Sequence, residues 1–423
     1  MSKEKNADRA KSIPGYLYPI DGIRAISTLL IFFHHLWQQN WIGFGIKIGP
    51  DKYLFNLWNW QKFGFIAVDI FFVLSGFCLF YPVAREMFGE AKHTSLKTFY
   101  LKRARRIWPS YCILLLVMLV FPIFSYGAND LDPSVKNTAW HYGTHLLFIH
   151  NFWKATYGST ISTAWTMPME VQFYVLFPLI AYFFKKKPIL IFSILFVICQ
   201  TLRLVVCATS DISNFELART VLYLDIFVVG MLSAYVVVWA RNKLKYIDKL
   251  APLMTVISIL CVHIIWYFIK WMSYAEMPDG SQSHIYFRLL YRWLLCAVTA
   301  VLLFSSCYSI KFFQKKILGN KFMVFFSTIS YSFYLIHQNI NILLKRLNIP
   351  YSTAEKVMDD RRAMEGYAFL SIVLSVGLAA LLTYCVEKPI AKYGYKEYFK
   401  RIPKTICEKA RKVKAVLTNT AEM

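Results

Sequence analysis

Acidic side chains are scarce: 24 Asp and Glu stand against 48 Lys and Arg in 423 residues, and charge of either sign makes up only 17%. With 57% hydrophobic residues and a mean hydropathy of +0.42, so little charge excludes an ordinary soluble domain and points to a polytopic membrane protein. Two catalytic signatures are missing as well, the glycine-rich phosphate loop and the nucleophile elbow. The nine cysteines fall in apolar runs or, for Cys407, in the basic tail, which argues against a disulfide framework. Low-complexity linkers and internal repeats are also lacking, so the chain reads as one membrane domain. Met1 to Ser12 is polar, and no cleavable signal is evident.

What is present is a series of apolar runs of the length a bilayer requires, about 17–25 residues. Ten occur, at roughly 17–37, 63–84, 106–126, 165–184, 188–207, 219–240, 252–272, 286–306, 322–345 and 366–386. The runs "LKRARR", "KKK", "RNKLK" and "QKK" and the basic tail all fall on one side if the spans alternate, whereas 208–218 and 273–285 hold no lysine or arginine. By the positive-inside rule this predicts an all-α protein of ten transmembrane helices with both termini cytoplasmic. The expected divisions are a cytoplasmic segment 1–16, a membrane domain 17–390 and a basic cytoplasmic tail 391–423. The net charge of +24 then anchors the chain on anionic lipid, not on nucleic acid. The longest outer loops, 38–62 and 127–164, are rich in interfacial tryptophan and tyrosine.

Ionisable groups inside such runs are functional or sheltered. In "DGIRAISTLLIFFHHLW", Arg24 and His35 lie eleven residues apart, within about 20° of one helical face and about 16 Å apart along the axis. His34 points about 80° away from Arg24 and reads as a bystander. Asp69 in "FGFIAVDIFFVLSGFCLF" is expected at the depth of His35, where it orients a catalytic group or pairs with an arginine from elsewhere. The Ser75-Gly76 pair permits close helix contact near mid-membrane. Arg103 and Arg106 share a helical face, as lipid anchors or as an anion clamp, and Pro109 is placed near the start of their helix. Glu170 in "WTMPME" and His337 in "ISYSFYLIHQN" come to the depth of His35, with Ser330 and Tyr334 on faces overlapping that of His337. Glu387 falls on the cytoplasmic side. His141, His145 and His150 lack an accompanying carboxylate or cysteine at ligand spacing, so a solvated or interfacial loop is expected there and no metal.

Taken in order, these motifs resemble acyltransferase family three, integral-membrane proteins that include bacterial surface-polysaccharide O-acetyltransferases. The resemblance runs from about Ile20 to Ile390 through Arg24 and His35, "DIFFVLSGF", Arg103-x-x-Arg106, "WTMPME", "ISYSFYLIH" and "EKPI". It implies a bacterial inner-membrane enzyme moving an acyl group from acetyl-CoA, or a related acyl-CoA, to a carbohydrate hydroxyl of O-antigen, capsule or another surface glycan. It also implies that His35 is catalytic, that Arg24, Arg103 and Arg106 hold the donor, and that Glu170 belongs to the cavity. No permanently bound cofactor is expected. Val171 stands where many members have a second acid, and no esterase-like domain follows, so direct acylation or hand-over to a partner is expected. The chemistry needs a base, His35, with Asp69 or Glu170 holding its other nitrogen. It also needs an oxyanion donor, for which Ser75, Tyr334 or a backbone amide are candidates. The rival reading, a polysaccharide-precursor transporter, predicts broken helices at matching positions in inverted halves, a pattern not seen in the sequence.

Overall fold

The computed structural model describes residues 16–40, 45–47, 53–56, 58–121, 123, 135–208, 222–274, 283–353, 360–398 and 400. Each apolar run coincides with a long helix, of between 20 and 26 residues. In chain order these are α1 (Tyr18–Asn40), α2 (Ala67–Met87), α3 (Leu96–Val120), α4 (Met167–Lys186) and α5 (Pro188–Ala208). They continue with α6 (Leu224–Lys243), α7 (Ala251–Tyr274), α8 (Ser283–Tyr308), α9 (Lys321–Arg346) and α10 (Arg361–Leu382). Among the described residues six helices are long and apolar enough to cross a membrane, those built on α2, α4, α5, α6, α7 and α10. This is a multi-pass membrane architecture. Of the remaining four, α1, α3 and α9 carry polar groups along their length, Arg24 and His35 in α1, the basic start of α3, and Ser330 and His337 in α9, while α8 is apolar over Arg292–Tyr308.

Three expectations change. The fold is mainly but not wholly helical, because Gly45–Lys47 and Tyr53–Asn56 pair as a small antiparallel hairpin. Helix α3 starts ten residues before the predicted run, at the Ser95 cap, whose hydroxyl accepts from the Thr98 amide. Pro109 therefore lies inside the helix, and the basic run "LKRARR" is continuous with the apolar half. The segment 1–15 and the tail 401–423 lie outside the described residues.

Helices α2 and α6 form the centre and are mostly buried, whereas α5 and α10 on the periphery are mostly exposed. Glycine sets their approach. A Cβ on Gly76 would lie 2.0 Å from the Phe227 carbonyl oxygen, and one on Gly230 would lie 2.0 Å from that of Val73. Each backbone thus occupies the space that the other's side chain would need, which is how small residues let membrane helices touch.

Around this pair α1, α3, α4 and α9 enclose the polar groups. Phe32 of α1 packs on Phe333 of α9, and Ser327 of α9 donates to Asp21 of α1 at 2.5 Å. The Tyr331 hydroxyl reaches the Ile107 carbonyl at 2.8 Å, tying α9 to α3. Beyond α10, Glu387 accepts from Ser110 of α3 at 2.7 Å and from Ser332 of α9. That carboxylate joins three helices.

Candidate active site

Three cavities line up between these helices. The first is a basic mouth of about 330 Å³ lined by Lys102, Arg103, Arg106, Glu387 and Lys388. Arg103 and Arg106 also line the second, a narrow chamber of about 80 Å³ that includes Arg24, Ser75, Glu170 and Ser330. The third, of about 370 Å³, contains His34 and His35 with Trp37, Lys62, Phe65 and Trp165. Val68 and Tyr334 line both the arginine chamber and the histidine chamber, so the two cavities abut at these side chains.

Helical spacing builds the arginine chamber. Arg103 and Arg106, three apart on α3, project into it, and the Arg103 guanidinium lies over the rings of Phe99 (5.8 Å) and Tyr174 (5.6 Å). Arg24 donates to Cys78 Sγ at 3.1 Å. Glu170, in the first turn of α4, accepts from the Ser75 hydroxyl at 3.1 Å and from the Tyr174 hydroxyl one turn on. Three guanidinium groups thus share a chamber with one carboxylate, and Arg103 Nε is buried without a hydrogen-bond partner. This surplus of donors suits an anionic or carbonyl-bearing ligand.

In the histidine chamber His35 Nδ1 lies 2.7 Å from His337 Nε2, and His337 Nδ1 lies 3.0 Å from the Phe333 carbonyl oxygen. His34 is tied elsewhere, its Nδ1 donating to the Gln61 carbonyl at 2.8 Å. Tyr334 stands at the constriction, where its hydroxyl oxygen accepts from Thr166 at 3.1 Å. Ser330 donates to the Ser327 carbonyl, one turn back in its own helix.

The structure gathers Arg24, Ser75, Arg103, Arg106, Glu170, Ser330 and Tyr334 around one chamber and places His35 in the next. It does not bring the two acids to His35. Glu170 is occupied by Ser75 and Tyr174, and the ring nitrogen expected to meet a carboxylate meets His337. Asp69 lies behind the site. Val68 faces the chambers, and Asp69, one residue on, is turned about 100° away. Its carboxylate meets Arg292 at 3.3 Å, both side chains being fully buried. Beside them Arg203 grips Asp225 through both nitrogens, at 2.6 and 2.7 Å. Arg203 and Arg292 were not singled out in the sequence. The available signal was two arginines inside apolar runs, each needing a buried acid.

The loop histidines are also placed differently from expectation, buried instead of solvated. His141 Nδ1 meets Ser159 Oγ at 2.7 Å, His145 donates to the His141 carbonyl, and His150 donates to the Ala164 carbonyl. The rings of His145 and His150 stack at 3.8 Å, fastening the loop that leads into α4. Among the described residues no group of three or more His, Cys, Asp or Glu is arranged to hold a metal. Burial pushes His145 down to about 3 and His150 down to about 4. Between those values and the unfolded value near 6.5 the unfolded loop binds protons that the folded loop refuses, so stability falls as pH falls. The thermal midpoint is expected to drop steadily from pH 6.5 toward pH 4, at up to about 1.4 kcal/mol per pH unit for each histidine. A variant with His145→Phe and His150→Phe should show a shallower slope over the same range; an unchanged slope would remove these histidines from the acid response.

A family model described as an acyltransferase domain matches residues 17–385. The chain belongs to this acyltransferase family. Among similar proteins, the chain is 24% identical over 407 residues to the peptidoglycan O-acetyltransferase OatA of Listeria monocytogenes, an alignment covering 91% of this chain and 57% of that protein. It is 25% identical over 426 residues to the O-acetyltransferase OatA of Staphylococcus aureus, covering 96% of this chain and 62% of the relative. The chain thus spans about three-fifths of the length of these relatives. No solved structure matches it.

Proposed function

We propose that this chain is a bacterial inner-membrane O-acetyltransferase that takes an acetyl group from cytoplasmic acetyl-CoA and gives it to a hydroxyl of a cell-wall glycan outside. The observation that carries this reading is the shared wall at Val68 and Tyr334, where a donor-side cavity rich in arginine meets a second cavity containing an imidazole base. The relatives' names favour an acceptor of the peptidoglycan type over O-antigen or capsule. The lysine and arginine distribution supports ten crossings with both termini inside, which turns the basic mouth toward the cytoplasm.

In this mechanism Lys102 and Lys388 at the mouth, backed by Arg103 and Arg106, hold the phosphates of CoA. The pantetheine arm follows the narrow chamber from the basic mouth toward Tyr334. The thioester carbonyl comes to rest at Tyr334. His35 takes the proton of the acceptor hydroxyl as its oxygen bonds to the carbonyl carbon. Tyr334, whose oxygen already accepts from Thr166, directs its own proton at the oxyanion. The carbon–sulfur bond then breaks, the electron pair leaves with sulfur, and the proton held by His35 passes to the thiolate.

Purified protein in lipid nanodiscs should release free CoA thiol from acetyl-CoA only when peptidoglycan fragments are added, with acetyl ester appearing on the glycan. Intact acetyl-CoA together with glycan moved across a vesicle wall would replace this reading with a transporter.

A further inference from the structure

We infer that His337 is the positioning residue of the acyl-transfer site: it fixes the tautomer of His35 so that the bare Nε2 is the nitrogen left for the acceptor. This rests on the function proposed above.

The assignment follows from what each atom is able to do. The Phe333 carbonyl oxygen only accepts, so His337 Nδ1, 3.0 Å away, must carry its proton. In the neutral ring that leaves Nε2 as a lone-pair acceptor. His35 Nδ1, 2.7 Å from it, must then be the donor, and the proton of neutral His35 is used up. The ring centroids are 5.0 Å apart with planes only 16° from parallel, as in two rings meeting edge to edge with the N–H aimed along the lone pair. His337 is held in turn by Phe333, stacked at 5.6 Å and 7°, and by Phe32 at 6.1 Å. Its ring is buried, whereas His35 is part-exposed in its chamber.

A backbone carbonyl one turn down α9 thus sets the protonation pattern of a side chain on α1. A carboxylate in the same place would orient the ring equally well and would also add a negative charge. The neutral partner does the orienting alone and, once His35 has taken the acceptor proton, shares the positive charge through the same hydrogen bond. His34, with its ring 5.4 Å from that of His35, is the neighbouring titratable group, and its Nδ1 is held by Gln61.

His337→Leu removes the acceptor for Nδ1–H and lets His35 turn or change tautomer. The expected result is a fall in kcat of about a hundredfold, with the KM for acetyl-CoA within twofold of the original. His337→Gln, whose amide oxygen accepts from Nδ1–H, should recover at least tenfold of that loss. Full activity in His337→Leu, or a glutamine variant no better than the leucine variant, overturns the inference. As a readout independent of turnover, nitrogen NMR of histidine-labelled protein in bilayers should show His35 with a protonated Nδ1 and an unprotonated Nε2. The reverse tautomer in the unaltered protein also overturns it. If the unaltered protein releases no CoA with any glycan, the acyl-transfer function fails instead, and the tautomer measurement still decides the role of His337.

Discussion

His35→Ala should lower glycan-dependent CoA release by about 10²–10⁴-fold, the range that a general base supplies, while leaving acetyl-CoA affinity close to its original value. Binding and chemistry separate because they occupy different cavities. The basic residues that hold the donor line the mouth and the narrow chamber, and His35 belongs to the chamber beyond Tyr334. Removing an imidazole from a part-exposed chamber wall leaves space that water is able to fill, so the fold should survive. A purified variant that acetylates glycan at the original rate would end the assignment of His35 as base. His34→Ala is the matched control, since its Nδ1 is committed to the Gln61 carbonyl, and it should retain most of the activity.

The second large effect concerns the donor. Arg103→Ala combined with Arg106→Ala should weaken acetyl-CoA binding by about 3 kcal/mol, roughly a hundredfold in Kd, from the loss of two charge-assisted contacts to phosphate. Calorimetry in nanodiscs measures this directly, and the binding that remains should become less sensitive to salt. Arg105 belongs to the same basic run but lies against Gly394 and is absent from the linings of the mouth and both chambers. Arg105→Ala should therefore leave affinity unchanged. Equal effects from Arg105 and from the pair would mean that the whole run serves only to anchor the chain on lipid.

These expectations show which features were legible in the chain and which were not. Apolar length and charge placement are local properties, and all ten runs proved to be helices. Residues that share a face of one helix were equally readable, as with Arg103 and Arg106. What the sequence did not carry is the rotation of each helix against its neighbours, which packing decides. Asp69 was assigned a plausible depth, yet its direction depends on α2 pressing Gly76 against α6, which turns the acid toward Arg292. The pairing of His35 with His337 spans 302 positions and was reachable only as a coincidence of depth. The loop histidines were misread because nothing in a polar-looking stretch announces that it folds upon itself.

The two buried ion pairs behind α2 carry a consequence for how such a chain is able to vary. Asp69, Arg203, Asp225 and Arg292 are neutral as a set and sit where water does not compensate. Losing any one strands its partner's charge, at about 3–5 kcal/mol, whereas replacing a whole pair with apolar side chains of similar volume costs little. Single steps are therefore closed and joint ones open. Variants of this chain should therefore tolerate changes at these residues two at a time, even though the members of each pair lie far apart in the gene or on different helices.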